Sequence, residues 1–391
     1  MYFLDNDLYK FTMQYFVLLK FPREIVRYKF HDRGGIKFPV DFAKELKKTV
    51  EEYARTVILT REEKLFLCDK CKYLSSAYID FLQGYRFDPE EVYITQTEHT
   101  LHLSIEGYWY RTILWEVVLM FLISELYFKM TGQIPKLDRF NRKKIVIEKY
   151  NKFMKRGISF SDFGTRRRFS YQNHDEVLSD FLERKPSPLI GTSNLHFAMK
   201  YNLEPIGTMA HELFMFMGAK YGYQSATIQT LHNWVDVFQG DLGVVLPDTF
   251  TTEVFLRDFK TLYAKLFDAT RQDSGNPINF LWKVVQHYVD LRIDPSSKSI
   301  VFSDALNIEK VLEIDNVKLI NKEIKLPQFK YGIGTFITNN IGIIPLNMVI
   351  KLSYVLINNE WVPAVKLSDD IGKNTGDPKE VKLCKQTLRI K

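Results

Sequence analysis

PLIGTSNLHFAMKYNLEPIGTMAHELFMFMGAKYG, residues 188–222, contains the same architectural unit twice. A short apolar run ends in Gly-Thr and a helical pattern follows: PLIGTS then NLHFAMKYN, and EPIGTM then HELFMFMGAKYG. The unit recurs outward from this stretch without recurring as a sequence. ISFSDFG precedes it; LGVVLPDT, LFDATRQDSG, SIVFSD and FKYGIGT follow, and helices such as NHDEVLSDFLERK and NPINFLWKVVQHYVDL come after such runs. Strand-then-helix units in series imply a parallel sheet. Seven of them suit an α/β fold built as an irregular (β/α) barrel, and periodicity leaves a doubly wound open sheet as the alternative.

The flanks read differently. Residues 1–135 mix helical stretches (NDLYKFTMQYFVLLKF, PVDFAKELKKTVEEYA) with antiparallel-looking strands (EIVRYKFHDRG, EVYITQTEHTLHLSIEGYW). Residues 341–391 return to strand patterns in PLNMVIKLSYVLINNEWVPAVKLS. The expected organisation is therefore an N-terminal α+β domain over 1–135, joined by 341–391, and an α/β barrel over 136–340.

The bulk composition bounds the function without choosing it. The 391 residues are 46% hydrophobic and 26% charged, an ordinary globular balance with room for a large core. A net charge of +7 makes anionic partners plausible. The opening MYFLDNDLYKFT is broken by Asp5 and Asp7, so no signal peptide is expected. TILWEVVLMFLISELYF carries Glu116 and Glu125 and reads as a buried helix, not a span. Three cysteines make no disulfide framework, and the expected location is the cytoplasm. Cys68, Cys71, His99 and His102 have the wrong spacing for a zinc site, and the two histidines fall on opposite faces of a strand.

The unusual residues gather where a strand stops and its helix has not begun, which is the ligand-binding face of α/β folds. They are Asp162-Phe163-Gly164-Thr165-Arg166, Gly191-Thr192-Ser193, Gly207-Thr208 with His211, Arg271 with Asp273 and Ser274, Ser303-Asp304, and Gly332 with Gly334 and Thr335. Gly-Thr and Gly-x-Gly ahead of a helix present backbone N–H groups to a phosphate; they also simply let a chain turn. Asp273 and Asp304 suit sugar hydroxyls or a Mg²⁺ shell; equally, each can cap the next helix. His211 opens its helix either as a satisfied structural histidine or as a nucleophile. Arg166, Arg167 and Arg168 repel one another unless solvent or an anion relieves them, so the run is either a plain exposed surface or the place of something negative. The Asp-Phe-Gly triplet lacks the other kinase motifs, and the aromatics follow core spacing, not the Lys/Arg-interleaved surface that RNA binding needs.

DLYKFTM, FHDRGG, SDFGTRRRFS, GTSN, PIGTMAHE, RQDSGNP, FSDALN, YGIGTFITN and PLNMVIKL, in this order, resemble the nicotinate phosphoribosyltransferase family nearly end to end. The resemblance implies formation of nicotinate mononucleotide and pyrophosphate from nicotinate and 5-phosphoribosyl 1-pyrophosphate, coupled to ATP hydrolysis with Mg²⁺, in NAD salvage. It implies a homodimer with shared active sites and small-molecule partners, with neither nucleic acid nor membrane. It assigns His211 as a transient phosphohistidine, with Arg271 and Asp273 beside it in catalysis. Tyr9, supplied by the partner subunit, and Phe163 would sandwich the pyridine ring; Arg166 would hold its carboxylate. Arg33, Ser274, Ser303, Asp304, Gly332, Gly334 and Thr335 would hold the phosphoribosyl and phosphate groups. No residue is assigned to the metal. The nicotinamide-using sister family has Asp where this chain has Ser193; Ser can donate to a carboxylate that Asp would repel. Asn276 stands where the nicotinate family commonly has Asp, which removes a charge beside the expected ribose and metal site.

Overall fold

The computed structural model describes residues 1–339, 341–370 and 372–390. By compactness the chain forms two units: 1–207 with 333–351, and 208–332 with 352–391. The change of element type at residue 135 lies inside the first unit, and the tail divides between the two.

In the first unit, β1 (Ile25–Asp32), β2 (Val92–Thr97) and β3 (Thr100–Tyr108) make antiparallel pairs, β3 lying between the other two. Their alternating burial is the period-two signature of a sheet with one face on the core. The helix Trp115–Met130 is buried on nearly every side, as its all-round apolar sequence demands. β4 (Phe160–Asp162), β5 (Leu189–Thr192) and β6 (Glu204–Pro205) follow as parallel neighbours.

The second unit carries β7 (Val244–Val245), β8 (Ala269–Gln272), β9 (Ser299–Phe302) and β10 (Gln328–Ile333), also parallel in sequence order; the last residue of β10 belongs to the first unit. β11 (Met348–Ile357) starts in the first unit, and its later residues pair with β12 (Glu360–Pro363) in the second. The fold class is thus mixed α/β, with all seven expected parallel strands present and each followed by a helix. Among the described residues no helix is long and apolar enough to cross a membrane.

Helix starts are set by caps at the strand ends. Ser170, Asn194, Asn276 and Asn307 each accept a hydrogen bond from a backbone N–H in the first turn of the following helix. Asp273 and Asp304, which the sequence also offers as caps, do not cap: Asn276 and Asn307 do, which leaves the two carboxylates for other work.

Candidate active site

In the first unit the strand β4 ends at Asp162, and a 3₁₀ turn over Thr165–Arg167 takes the chain away from it. Asp162 accepts from Gly164 N at 2.9 Å, Thr192 Oγ1 at 2.7 Å and lies 2.9 Å from His174 Nε2. The turn is fixed tightly: a Cβ on Gly164 would lie 2.0 Å from Thr338 Cγ2, and one on Gly334 2.9 Å from the Phe163 carbonyl oxygen. Phe163 N donates to Ile333 O at 2.9 Å and its ring is half-buried. Thr335 opens the short helix Thr335–Thr338 directly after Gly334.

The three arginines have three different fates, and none lies on a strand. Arg168 is buried, gives Nη1 and Nη2 to the two oxygens of Asp5 at 2.7 Å each, and Nε to Glu125 at 2.7 Å. Arg167 donates Nε and Nη2 to the Met348 carbonyl at 3.1 and 2.8 Å; burial, with Arg166 and Arg33 nearby, pulls it down to about 10. Arg166 keeps its side chain 36% exposed, with Nη1 3.9 Å from Glu116 Oε1.

Ser193 is buried, and its hydroxyl donates to Asp7 Oδ1 at 2.8 Å. That contact alters the expected role of Ser193, since its one proton is already given to a carboxylate of the same chain. Burial pushes the Asp7 carboxyl up, against the opposing pull of Arg166 and the hydrogen bonds from Thr165 and Ser193. Tyr9 lies on the helix Leu8–Lys20 and is 9% exposed within its own protomer. Arg33 is exposed on a loop shaped by Asp32, which accepts from Gly34 N and Ile36 N at 2.8 and 2.6 Å, and by Gly35 at φ +65°.

The second unit holds a connected polar cluster around His211, the first residue of the helix His211–Tyr221. His211 Nε2 is 3.1 Å from Asp273 Oδ2 and 3.9 Å from Asp248 Oδ1; Nδ1 is 3.0 Å from Thr249 Oγ1. Arg271 Nη2 donates to Asp273 Oδ1 at 2.7 Å, and Arg271 Nε donates to Ser303 Oγ at 2.8 Å. Burial opposes ionisation of Asp273, but Arg271 and His211 outweigh it and hold the carboxyl well below its usual range. Burial, with Lys366 close by, lowers His211 to about 4, so its imidazole is neutral at pH 7. An ionised Asp273 can only accept, which puts the imidazole proton on Nε2 and leaves the Nδ1 lone pair facing the Thr249 hydroxyl.

Ser274 donates to Asp248 Oδ2 at 2.6 Å and accepts from Asp369 N at 3.1 Å. Asp369 is itself fixed by Thr252 N and Oγ1, while Lys366 Nζ lies 3.6 Å from Asp248 Oδ2. Asp304 has Lys373 Nζ 4.0 Å away, and burial raises its carboxyl. Gly332 is buried on β10, and Thr208 Oγ1 donates to Val244 O at 2.7 Å. Asn276 spends its side-chain oxygen capping the helix Pro277–Asp290.

His211, Asp248 and Asp273 bring one ligand atom each to within 4.8 Å of one another. Among the described residues buried Asp248 Oδ1 has no hydrogen-bond partner, and carboxylate oxygens are what a hard divalent cation takes. Cys68 and Cys71 belong to no such group among the described residues, and His99 Nδ1 meets the Phe38 carbonyl at 2.9 Å. Asp248, Thr249, Lys366 and Asp369 join the cluster beyond the residues the sequence marks, as do Asp7 and Glu116 in the first unit.

Family models for the nicotinate phosphoribosyltransferase (NAPRTase) family and its N-terminal domain match residues 158–391 and 4–124. The chain belongs to the nicotinate phosphoribosyltransferase family. It is 48% identical over 387 residues to a nicotinate phosphoribosyltransferase of Desulforapulum autotrophicum, covering 98% of each chain. A nicotinate phosphoribosyltransferase of Chromohalobacter salexigens is 45% identical over 99% of this chain and 98% of its own. The crystal structure of nicotinate phosphoribosyltransferase from Porphyromonas gingivalis matches with a TM-score of 0.94 at 40% identity, covering 99% of both chains.

Proposed function

We propose that the chain joins nicotinate to the C1′ of 5-phosphoribosyl 1-pyrophosphate, giving nicotinate mononucleotide and pyrophosphate, with ATP hydrolysed through a phosphohistidine at position 211. The observation that carries the reading is the Arg271–Asp273–His211–Thr249 chain: it orients a buried histidine at a helix start, and burial with Lys366 close by keeps that histidine neutral. A structural histidine needs no ionised partner whose own charge is held by an arginine; a nucleophile does.

The nicotinate carboxylate is an anion, and Arg166 is the member of the arginine run whose side chain is 36% exposed and not spent on Asp5 or the Met348 carbonyl. Its charge-assisted hydrogen bonds orient the ring nitrogen for attack, and the Phe163 face stacks on the flat pyridine. The new N–C1′ bond forms as the C1′–O bond to pyrophosphate breaks, so positive charge develops on the ribose and negative charge on the leaving group. Asp273 and Asp304 face the first demand; Arg271 and Arg33 face the second. Ser274, Ser303 and the Gly332, Gly334 and Thr335 segment are the phosphoribosyl and phosphate contacts. In ATP coupling the Nδ1 lone pair of His211 takes the terminal phosphoryl group as the bond from that phosphorus to the bridging oxygen breaks and ADP leaves, while the Nε2 proton stays on the imidazole, hydrogen-bonded to Asp273.

Asp248 and Asp273 fit Mg²⁺ as oxygen ligands, and the ion, when bound, neutralises phosphate charge. The homodimer, with Tyr9 serving the partner's pyridine site, belongs to the same proposal, as does a place in cytoplasmic NAD salvage. The test is to incubate the purified protein with nicotinate, phosphoribosyl pyrophosphate, Mg²⁺ and ATP and quantify mononucleotide and ADP together. Both are expected to form, and ADP only when nicotinate is present; an absence of mononucleotide overturns the proposal.

A further inference from the structure

Glu116 is a carboxylate in the middle of an apolar, all-round buried helix, 5% exposed. Its two oxygens meet two cations. Oε2 lies 2.5 Å from Lys10 Nζ, whose side chain is fully buried, and Oε1 faces Arg166 Nη1 at 3.9 Å. The Lys10 ammonium sits 5.4 Å from the Tyr9 ring centroid and 5.6 Å from that of Tyr28, so it has little freedom to leave its partner.

A buried ion pair seldom adds more stability than apolar side chains of the same volume. Its retention asks for another use, and the second oxygen of Glu116 supplies one. Arg166 and Arg33 both lie close enough to Arg167 for their like charge to depress it, so Arg166 belongs to a group of mutually repelling cations. Glu116 offsets that repulsion with an anchored negative charge. Burial alone would neutralise Glu116, but Lys10, Lys351 and Arg166 hold it ionised at about 2.

We propose that Glu116, locked by Lys10, is a positioning residue for Arg166 and thereby sets affinity for an anionic pyridine. The proposal rests on Arg166 being the carboxylate-binding residue. Nothing in it requires Glu116 to touch the substrate.

The test uses the full chain with Lys10→Met and Glu116→Gln combined, so that no unpaired charge is buried, and Glu116→Asp alone, which keeps the Lys10 pair but draws back from Arg166. With nicotinate the double variant is expected to raise KM about tenfold with kcat within about twofold, the split that marks lost ground-state binding. Glu116→Asp is expected to shift KM the same way by less, and neither variant to change KM for nicotinamide, whose amide carries no charge. An unchanged nicotinate KM overturns the proposal. So does a lowered one, which would mean that Glu116 merely offsets the Arg166 charge. If the double variant does not fold, Glu116→Asp with unchanged KM overturns it on its own. A wild-type protein that makes no product from nicotinate defeats the reading of Arg166 first, and this arm separates that failure from the other.

Discussion

Replacing Arg168 by Met removes a charge from the interior while keeping most of the side-chain volume. Asp5, 3% exposed, then loses both of its guanidinium hydrogen bonds and keeps the Asn194 Nδ2 contact at 2.7 Å. Breaking a buried pair by removing one partner costs about 3–5 kcal/mol, chiefly because the surviving charge is stranded. The guanidinium also sits 4.3 Å from the Phe121 ring centroid, a contact worth about 1 kcal/mol. Against a total stability of about 5–15 kcal/mol this is a large fraction. With a urea slope of about 3 kcal/mol/M, the unfolding midpoint falls by about 1 M or more. Urea titration followed by near-ultraviolet circular dichroism measures it. Adding Asp5→Asn to Arg168→Met should recover part of the loss, because the stranded charge is gone. A midpoint within about 0.3 M of wild type for Arg168→Met alone would refute the view that this arginine is structural.

Three further outcomes follow from the same geometry. Arg166→Met leaves the unfolding free energy within about 0.5 kcal/mol of wild type yet raises the nicotinate KM about 10- to 100-fold, since a half-exposed side chain is lost along with a charge-assisted contact; steady-state kinetics and the urea titration together check it. His211→Ala abolishes nicotinate-dependent ATP hydrolysis while some mononucleotide synthesis persists; full coupling in that variant would show that another residue takes the phosphate. Glu116 is held at about 2 against an ordinary 4.5, so its contribution to stability is complete above pH 4.5 and is lost as pH falls from there toward 2. The Lys10→Met and Glu116→Gln double variant should therefore show a flatter fall in urea midpoint across that interval than wild type does.

Much of the fold is legible in local pattern. Each parallel strand is a brief apolar run closed by Gly, Ser, Thr or Asp, and capping residues such as Asn194 and Asn307 mark the helix starts that follow. The site is less legible, because its contacts join residues far apart in the chain. Arg168 and Asp5 are 163 positions apart, and no spacing rule links them. Arg167 stands beside Arg166 in the same run and the sequence leaves its role open; its guanidinium is spent on the Met348 carbonyl. Asp248 ends a recognisable strand run, but Pro247 and a strand of only two residues give it the look of an ordinary turn. Lys366 and Asp369 carry no local signal: the strand-like pattern of the tail runs through Lys366 to Ser368, whereas the last strand ends at Pro363 and the segment after it returns to Asp248 and Ser274. Ser193 shows the limit of reasoning by residue type, since its hydroxyl is donated to Asp7; the proposed base selection therefore leans on the charge of Arg166.

That charge is the centre of the account. The decisive measurement is kcat/KM for nicotinate and for nicotinamide, in parallel, with phosphoribosyl pyrophosphate, Mg²⁺ and ATP. The expected result is a preference for nicotinate of at least about 100-fold, the scale of one well-placed charge-assisted contact. Equal use of the two bases, or a preference for nicotinamide, would contradict it.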